Sequence, residues 1–184
     1  MSLIGTYLEI LKALDDNDVE YMLVGGHAVN YYGYVRATLD MDIWVNTTQE
    51  NLNRLYSAFI ALGYNHENSK TAVVYLREKH MIRIPKDNSM VDMFDSFIMK
   101  EDFEESYQNH EVFNIKEITI KVIGFNDLVA CKFKSNRAKD LLDVKELKTL
   151  KELRAHQKEI QNFKLPDIDK IKGESENKDN GISM

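Results

Sequence analysis

Two aspartates one residue apart, Asp40-Met41-Asp42, run directly into the apolar stretch Ile43-Trp44-Val45, and no other feature constrains the chain as much. Residues i and i+2 of a strand point to the same side, so the two carboxylates project together. Like charges at that spacing repel, and a sheet gains nothing by keeping them. A divalent cation removes the objection, because hard carboxylate oxygens are what Mg2+ and Mn2+ prefer. The plainer alternative is a solvated turn. A third aspartate, Asp92, lies between Val91 and Met93 in another candidate strand. If the two strands are neighbours, three carboxylates meet on one face, enough for a two-ion site of the kind that serves in-line phosphoryl displacement. Asp95 follows three residues later; strand alternation puts it on the opposite face, so only one of the two joins the cluster. Asp92, inside the apolar run, is the preferred one.

The surrounding pattern is mixed. Leu3 to Leu14 has helical spacing and ends in Asp15-Asp16-Asn17-Asp18. Tyr21 to Val24 is a short buried strand stopped by Gly25-Gly26, and His27 to Tyr32 a short helix with Gly33 near its end. Thr47-Thr48-Gln49-Glu50 offers an N-cap to a helix closed by Gly63. Strands are expected over Val73–Leu76, Met81–Ile84 and Met90–Phe94, the last two joined around Pro85-Lys86-Asp87-Asn88. Phe103 to Tyr107 is expected to be helical, and Val112–Ile115 with Ile118–Val122 to form a hairpin. From Asn126 onward the pattern is helical, with a break near Ser135-Asn136. Helices before, between and after short strands disfavour a pure bundle or a β-sandwich.

In order along the chain come a strand, a glycine pair opening a helix, Arg36, and the paired carboxylates. The run Leu23-Val24-Gly25-Gly26-His27-Ala28-Val29, followed by Arg36-Ala37-Thr38-Leu39-Asp40-Met41-Asp42-Ile43, resembles the signature of the nucleotidyltransferase superfamily that includes DNA polymerase beta. It is most similar to the minimal AbiEii-toxin-like and lincosamide-nucleotidyltransferase-like bacterial branch. The likeness covers residues 18 to 95 and continues weakly in Lys132, Arg137, Lys139-Asp140 and Asp143. It implies an α/β (α+β) fold with a small, mixed, twisted sheet flanked by helices and a C-terminal helical unit. The catalytic core would span 1–124, the helical unit 125–163 and a flexible tail 164–184.

The resemblance further implies an enzyme moving a nucleoside monophosphate from NTP to a hydroxyl acceptor (a tRNA end, a protein side chain or a small molecule such as an antibiotic), releasing pyrophosphate. Asp40, Asp42 and Asp92 would hold two Mg2+ or Mn2+ ions. Gly25 and Gly26 would let phosphates approach the backbone, with Arg36, Lys132 and Lys139 supplying positive charge. His27 is a candidate for shaping the pocket; among Tyr31, Tyr32, Tyr34 and Trp44, a tyrosine is a candidate base-stacking group and Trp44 a core residue. A competing reading is a non-catalytic nucleotide- or partner-binding module, one half of a toxin–antitoxin-like pair with a partner protein.

Charge and composition fit these readings. Between Lys132 and Lys158 stand nine Lys/Arg against four acids, in a chain of 184 residues with net charge −6. Such a run is usually a solvated helix face, the reading preferred for Lys145 to Lys158. The negative total disfavours global attraction to nucleic acid. One cysteine, Cys131, excludes an internal disulfide and a thiolate metal site. No apolar run approaches the ~20 residues of a membrane span and no secretory signal is visible, so a cytoplasmic location without membrane association is expected.

Overall fold

A computed structural model describes residues 3–86, 89–96 and 102–162. The expected tail, 164–184, lies outside the described residues. The order is α1 (Leu3–Asp16), β1 (Tyr21–Leu23), α2 (Gly25–Tyr31), β2 (Asp40–Val45), α3 (Gln49–Ala61), α4 (His66–Lys79), β3 (Met81–Lys86), β4 (Ser89–Phe94), α5 (Phe103–Gln108), β5 (Glu111–Ile115), β6 (Ile118–Val122), α6 (Phe125–Ser135) and α7 (Ala138–Asn162). Two compact units divide the chain, 1–148 and 149–184. The first holds the sheet, α1 to α6 and the start of α7. In the second, the described side chains from 151 to 159 are all exposed, as a solvated charge run should be. No helix among the described residues is long and apolar enough to cross a membrane.

One six-stranded mixed sheet runs β3-β4-β2-β1-β6-β5. β1 pairs antiparallel with β2 and parallel with β6, while β2 pairs parallel with β4. The hairpins β3–β4 and β5–β6 close the edges. The alternation in β2 explains its place beside the centre. Met41, Ile43 and Val45 are fully buried in the core, while Asp40 and Asp42 emerge on the other face beside the buried Trp44. Trp44 packs edge-on against Phe103 of α5 at 5.3 Å and donates its indole N–H to the Asp95 carbonyl at 3.1 Å, which accounts for a fully buried indole.

Val73–Leu76 is not a strand but part of α4. Its β-branched run carries strand propensity, yet Ser69, Ala72, Val73 and Leu76 turn inward at helical spacing while Val74 and Tyr75 stay exposed. Asn65 caps the helix by accepting from the Asn68 amide at 2.8 Å, and His80 ends it in the left-handed conformation. Caps and periodicity outweigh propensity here. The other expected elements are present, including the Thr48 cap of α3 and the break after Ser135, where Asn136 takes the left-handed conformation.

Candidate active site

The parallel pairing of β2 with β4 sets Asp42 directly opposite Asp92 and Asp40 opposite Met90. Asp40, Asp42 and Asp92 each offer one oxygen, and these oxygens all lie within 4.8 Å of one another. Asp92 is buried, and the other two are half-buried. Such crowding has an electrostatic cost: burial first, then the charges of Asp40 and Asp92, push the Asp42 carboxyl from 3.8 up to about 6. Lys132 and the Gly26 amide oppose that shift without cancelling it. Three hard oxygens, converging under charge strain, fit Mg2+ or Mn2+. Asp95 stands apart, its carboxylate bound to His80 Nδ1 at 2.8 Å.

The glycine pair is explained by the same carboxylate. Gly25 opens α2 with φ +63°, and a Cβ there would sit 1.9 Å from Asp42 Oδ2. A Cβ on Gly26 would meet Thr38 Oγ1 at 2.5 Å. The absent side chains therefore make room for Asp42 and Thr38. Both glycines line a cleft of about 830 Å3, together with Arg36, all three aspartates, Arg83, Lys132 and Lys139.

Facing the acidic wall is a network from the loop after α2, from α6 and from α7. Arg36 grips Asp143 through Nε at 2.7 Å and Nη2 at 2.9 Å. Lys132, buried on α6, donates to Asp140 at 2.6 Å and lies 3.0 Å from Asp143. Asp140 also accepts from Ser135 and Arg137, each at 2.6 Å. Burial raises the Asp140 carboxyl, but the hydrogen bonds from Lys132, Ser135 and Arg137 prevail and hold it at about 2. Three cations balanced against two carboxylates leave this wall positive, with exposed Lys139 beside it on the cleft. Arg36 and Lys132 thus line the cleft, but their charge is shared with Asp140 and Asp143.

A family model described as "Nucleotidyl transferase of unknown function (DUF2204)" matches residues 4–179. The chain belongs to this nucleotidyl transferase family. This nucleotidyltransferase shares its fold with the antibiotic-resistance factor ANT(2'')-Ia, whose solution structure matches at TM-score 0.50 with 13% identity over 86% of this chain and 92% of that one. The lincomycin-bound lincosamide antibiotic adenylyltransferase LnuA aligns at TM-score 0.46 with 16% identity, over 79% of this chain and 96% of its own. Among curated proteins, none matches.

Two features of the cleft are absent from the sequence expectations. Arg83, on β3, faces Asp92 in register and holds both its oxygens at 2.7 Å. An arginine inside the apolar run Met81-Ile82-Arg83-Ile84 was the available signal. The second is that Asp140 and Asp143 neutralise Lys132 and Arg36, which their three-residue spacing on one helix permits. The tyrosines do not line the cleft: Tyr31 stacks on Phe113 at 4.9 Å and Tyr32 donates to the Ile123 carbonyl at 2.8 Å. Phe94 is the aromatic on the cleft wall. His27 faces a separate apolar cavity of about 260 Å3, edge-on to Tyr7.

Proposed function

We propose that this nucleotidyltransferase moves a nucleoside monophosphate from an NTP to a hydroxyl acceptor in a Mg2+- or Mn2+-dependent reaction that releases pyrophosphate. The observation that carries the reading is the convergence of Asp40, Asp42 and Asp92 within 4.8 Å on the wall of the cleft. Asp40 and Asp42 would hold both ions, and Asp92 would ligate the catalytic one. When bound, a pair of such ions activates the attacking oxygen and neutralises charge on the leaving oxygen. The acceptor oxygen bonds to the α-phosphorus, the bond from that phosphorus to the pyrophosphate oxygen breaks, and Asp92 helps remove the hydroxyl proton.

The remaining residues bind and orient. The positive wall of Arg36, Lys132 and Arg137, with Lys139, offsets the triphosphate and the charge that develops on pyrophosphate. Gly25 and Gly26 let Asp42 and Thr38 pack against the start of α2, which keeps the Asp42 carboxylate in the cluster on the cleft wall. A cleft of about 830 Å3 has the size of a small-molecule site and suits a nucleotide. The acceptor is a hydroxyl on RNA, on a protein or on a small molecule such as an antibiotic.

The test is label transfer from each α-labelled NTP, with Mg2+ or Mn2+, to total RNA, cell protein and aminoglycoside or lincosamide acceptors. Transfer with one acceptor class, abolished by chelator and by Asp42→Asn, is the expected result. Unchanged transfer by the Asp42→Asn protein overturns the assignment.

A further inference from the structure

Arg83 has no part in the reaction described above, yet it holds the carboxylate on which that reaction depends. Its guanidinium makes a two-pronged contact with Asp92, Nε to Oδ1 and Nη2 to Oδ2, both at 2.7 Å. The two ends differ in setting: the Asp92 side chain is 6% exposed, whereas Arg83 is 53% exposed and lines the cleft. The carboxylate is enclosed, whereas the guanidinium that clamps it borders solvent. The clamped oxygens belong to the same carboxylate that completes the three-aspartate cluster.

A divalent ion seated among these oxygens comes within a few ångströms of the guanidinium. Two cations sharing one carboxylate at that distance repel strongly, because the buried side of the site screens little. We propose that Arg83 is a positioning residue that competes with the metal for Asp92, occupying its carboxylate in the metal-free protein and leaving it when ion and nucleotide arrive. The inference rests on the metal-dependent reading of the site. It adds that the cluster is partly neutralised from within before any ion binds. It adds also that Arg83, once released on the cleft wall, becomes a cation for the anionic nucleotide. Nucleotide and metal then help one another: the triphosphate rewards the release of Arg83, and that release opens Asp92 to the ion.

Mn2+ binding followed by electron paramagnetic resonance, on the full chain with and without a non-hydrolysable NTP, tests this directly. The Arg83→Gln protein is expected to bind Mn2+ without nucleotide severalfold more tightly than wild type, on the order of 3- to 10-fold for loss of a charged competitor. The tightening that nucleotide brings should shrink by a similar factor. Arg83→Lys, which keeps the charge without the fork, should fall between the two. Because Arg83 is half in solvent, its replacement leaves the fold intact, and circular dichroism checks this. Equal or weaker Mn2+ binding by Arg83→Gln, with wild-type binding intact and lost in Asp42→Asn, overturns the competition but leaves the metal site standing. Wild type that binds no Mn2+ in either condition overturns both.

Discussion

Replacing Asp42 with Asn should make the metal-free protein more stable while destroying its activity. In the folded state the carboxyl titrates at about 6 against 3.8 in the open chain, a rise of about 2 units, or ~3 kcal/mol. The sign follows from linkage. A carboxyl that holds its proton better when folded stabilises the fold below the unfolded value and loses that advantage as pH rises through the folded one. Relative to the neutral amide, the penalty is absent near pH 4, grows between about pH 4 and pH 6, and is complete above. The opposing pull of the Gly26 amide and Lys132 is already contained in that difference. Asn gives back part of the gain because its NH2 replaces an oxygen that accepts hydrogen bonds, worth about 1 kcal/mol. The net expectation is that Asp42→Asn is ~1–2 kcal/mol more stable at pH 7.5, which for a unit of this size raises Tm by about 3–6 °C. At pH 4 the difference vanishes or reverses. Mg2+ or Mn2+ reverses the order at pH 7.5, because an ion at 100 times its Kd stabilises wild type by about 2.7 kcal/mol and leaves the variant unmoved. Differential scanning calorimetry at pH 4 and 7.5, with metal and with chelator, reads all four states. An Asn variant less stable than wild type at both pH values, or one that metal stabilises equally, refutes the charge-strain argument.

Other parts of the site give sharp expectations. Gly25→Ala places a methyl 1.9 Å from Asp42 Oδ2 at a φ of +63°, so it should cost ~2 kcal/mol or more in stability and abolish Mn2+ binding by displacing the carboxylate; thermal melts and metal titration check both. Lys132→Met leaves Asp140 and Asp143 buried beside an apolar side chain and should cost ~3–5 kcal/mol in urea unfolding, whereas Lys139→Met, on the exposed wall, should leave stability within about 0.5 kcal/mol and raise KM for NTP. Asp140 titrates at about 2, below its unfolded value, so it supports the fold above about pH 4 and that support is lost as pH falls toward 2. Asp140→Asn should therefore remove about 2 kcal/mol at pH 7 and flatten the acid limb of the stability curve measured by urea melts between pH 2 and 5.

How far the sequence discloses such a site depends on the range of the interactions involved. The strand carrying Asp40 and Asp42 is visible because alternation is local: Met41, Ile43 and Val45 must face the core, which forces both carboxylates to the other side. Asp92 is visible as an acid out of place among apolar neighbours, but the pairing that sets it opposite Asp42 joins strands 50 residues apart and is legible only through the resemblance. The α4 segment misleads for the opposite reason. Val73–Leu76 carries strand propensity in a short window, while the evidence for helix lies outside it, in Asn65 eight residues upstream and His80 beyond the end. Cations were the least legible. A lysine or arginine in sequence carries its charge without its partner, and Arg36 and Asp143 are 107 residues apart. Of the three groups expected for phosphate, Arg36 and Lys132 belong to one network balanced by Asp140 and Asp143, and its surplus of a single charge comes from the exposed Arg137. That distribution bears on mechanism. A lysine already paired with two carboxylates is held in place before any substrate binds. The acidic wall lacks that balance, with three carboxylates and one exposed arginine to answer them, and so it is the acidic wall that calls for an ion.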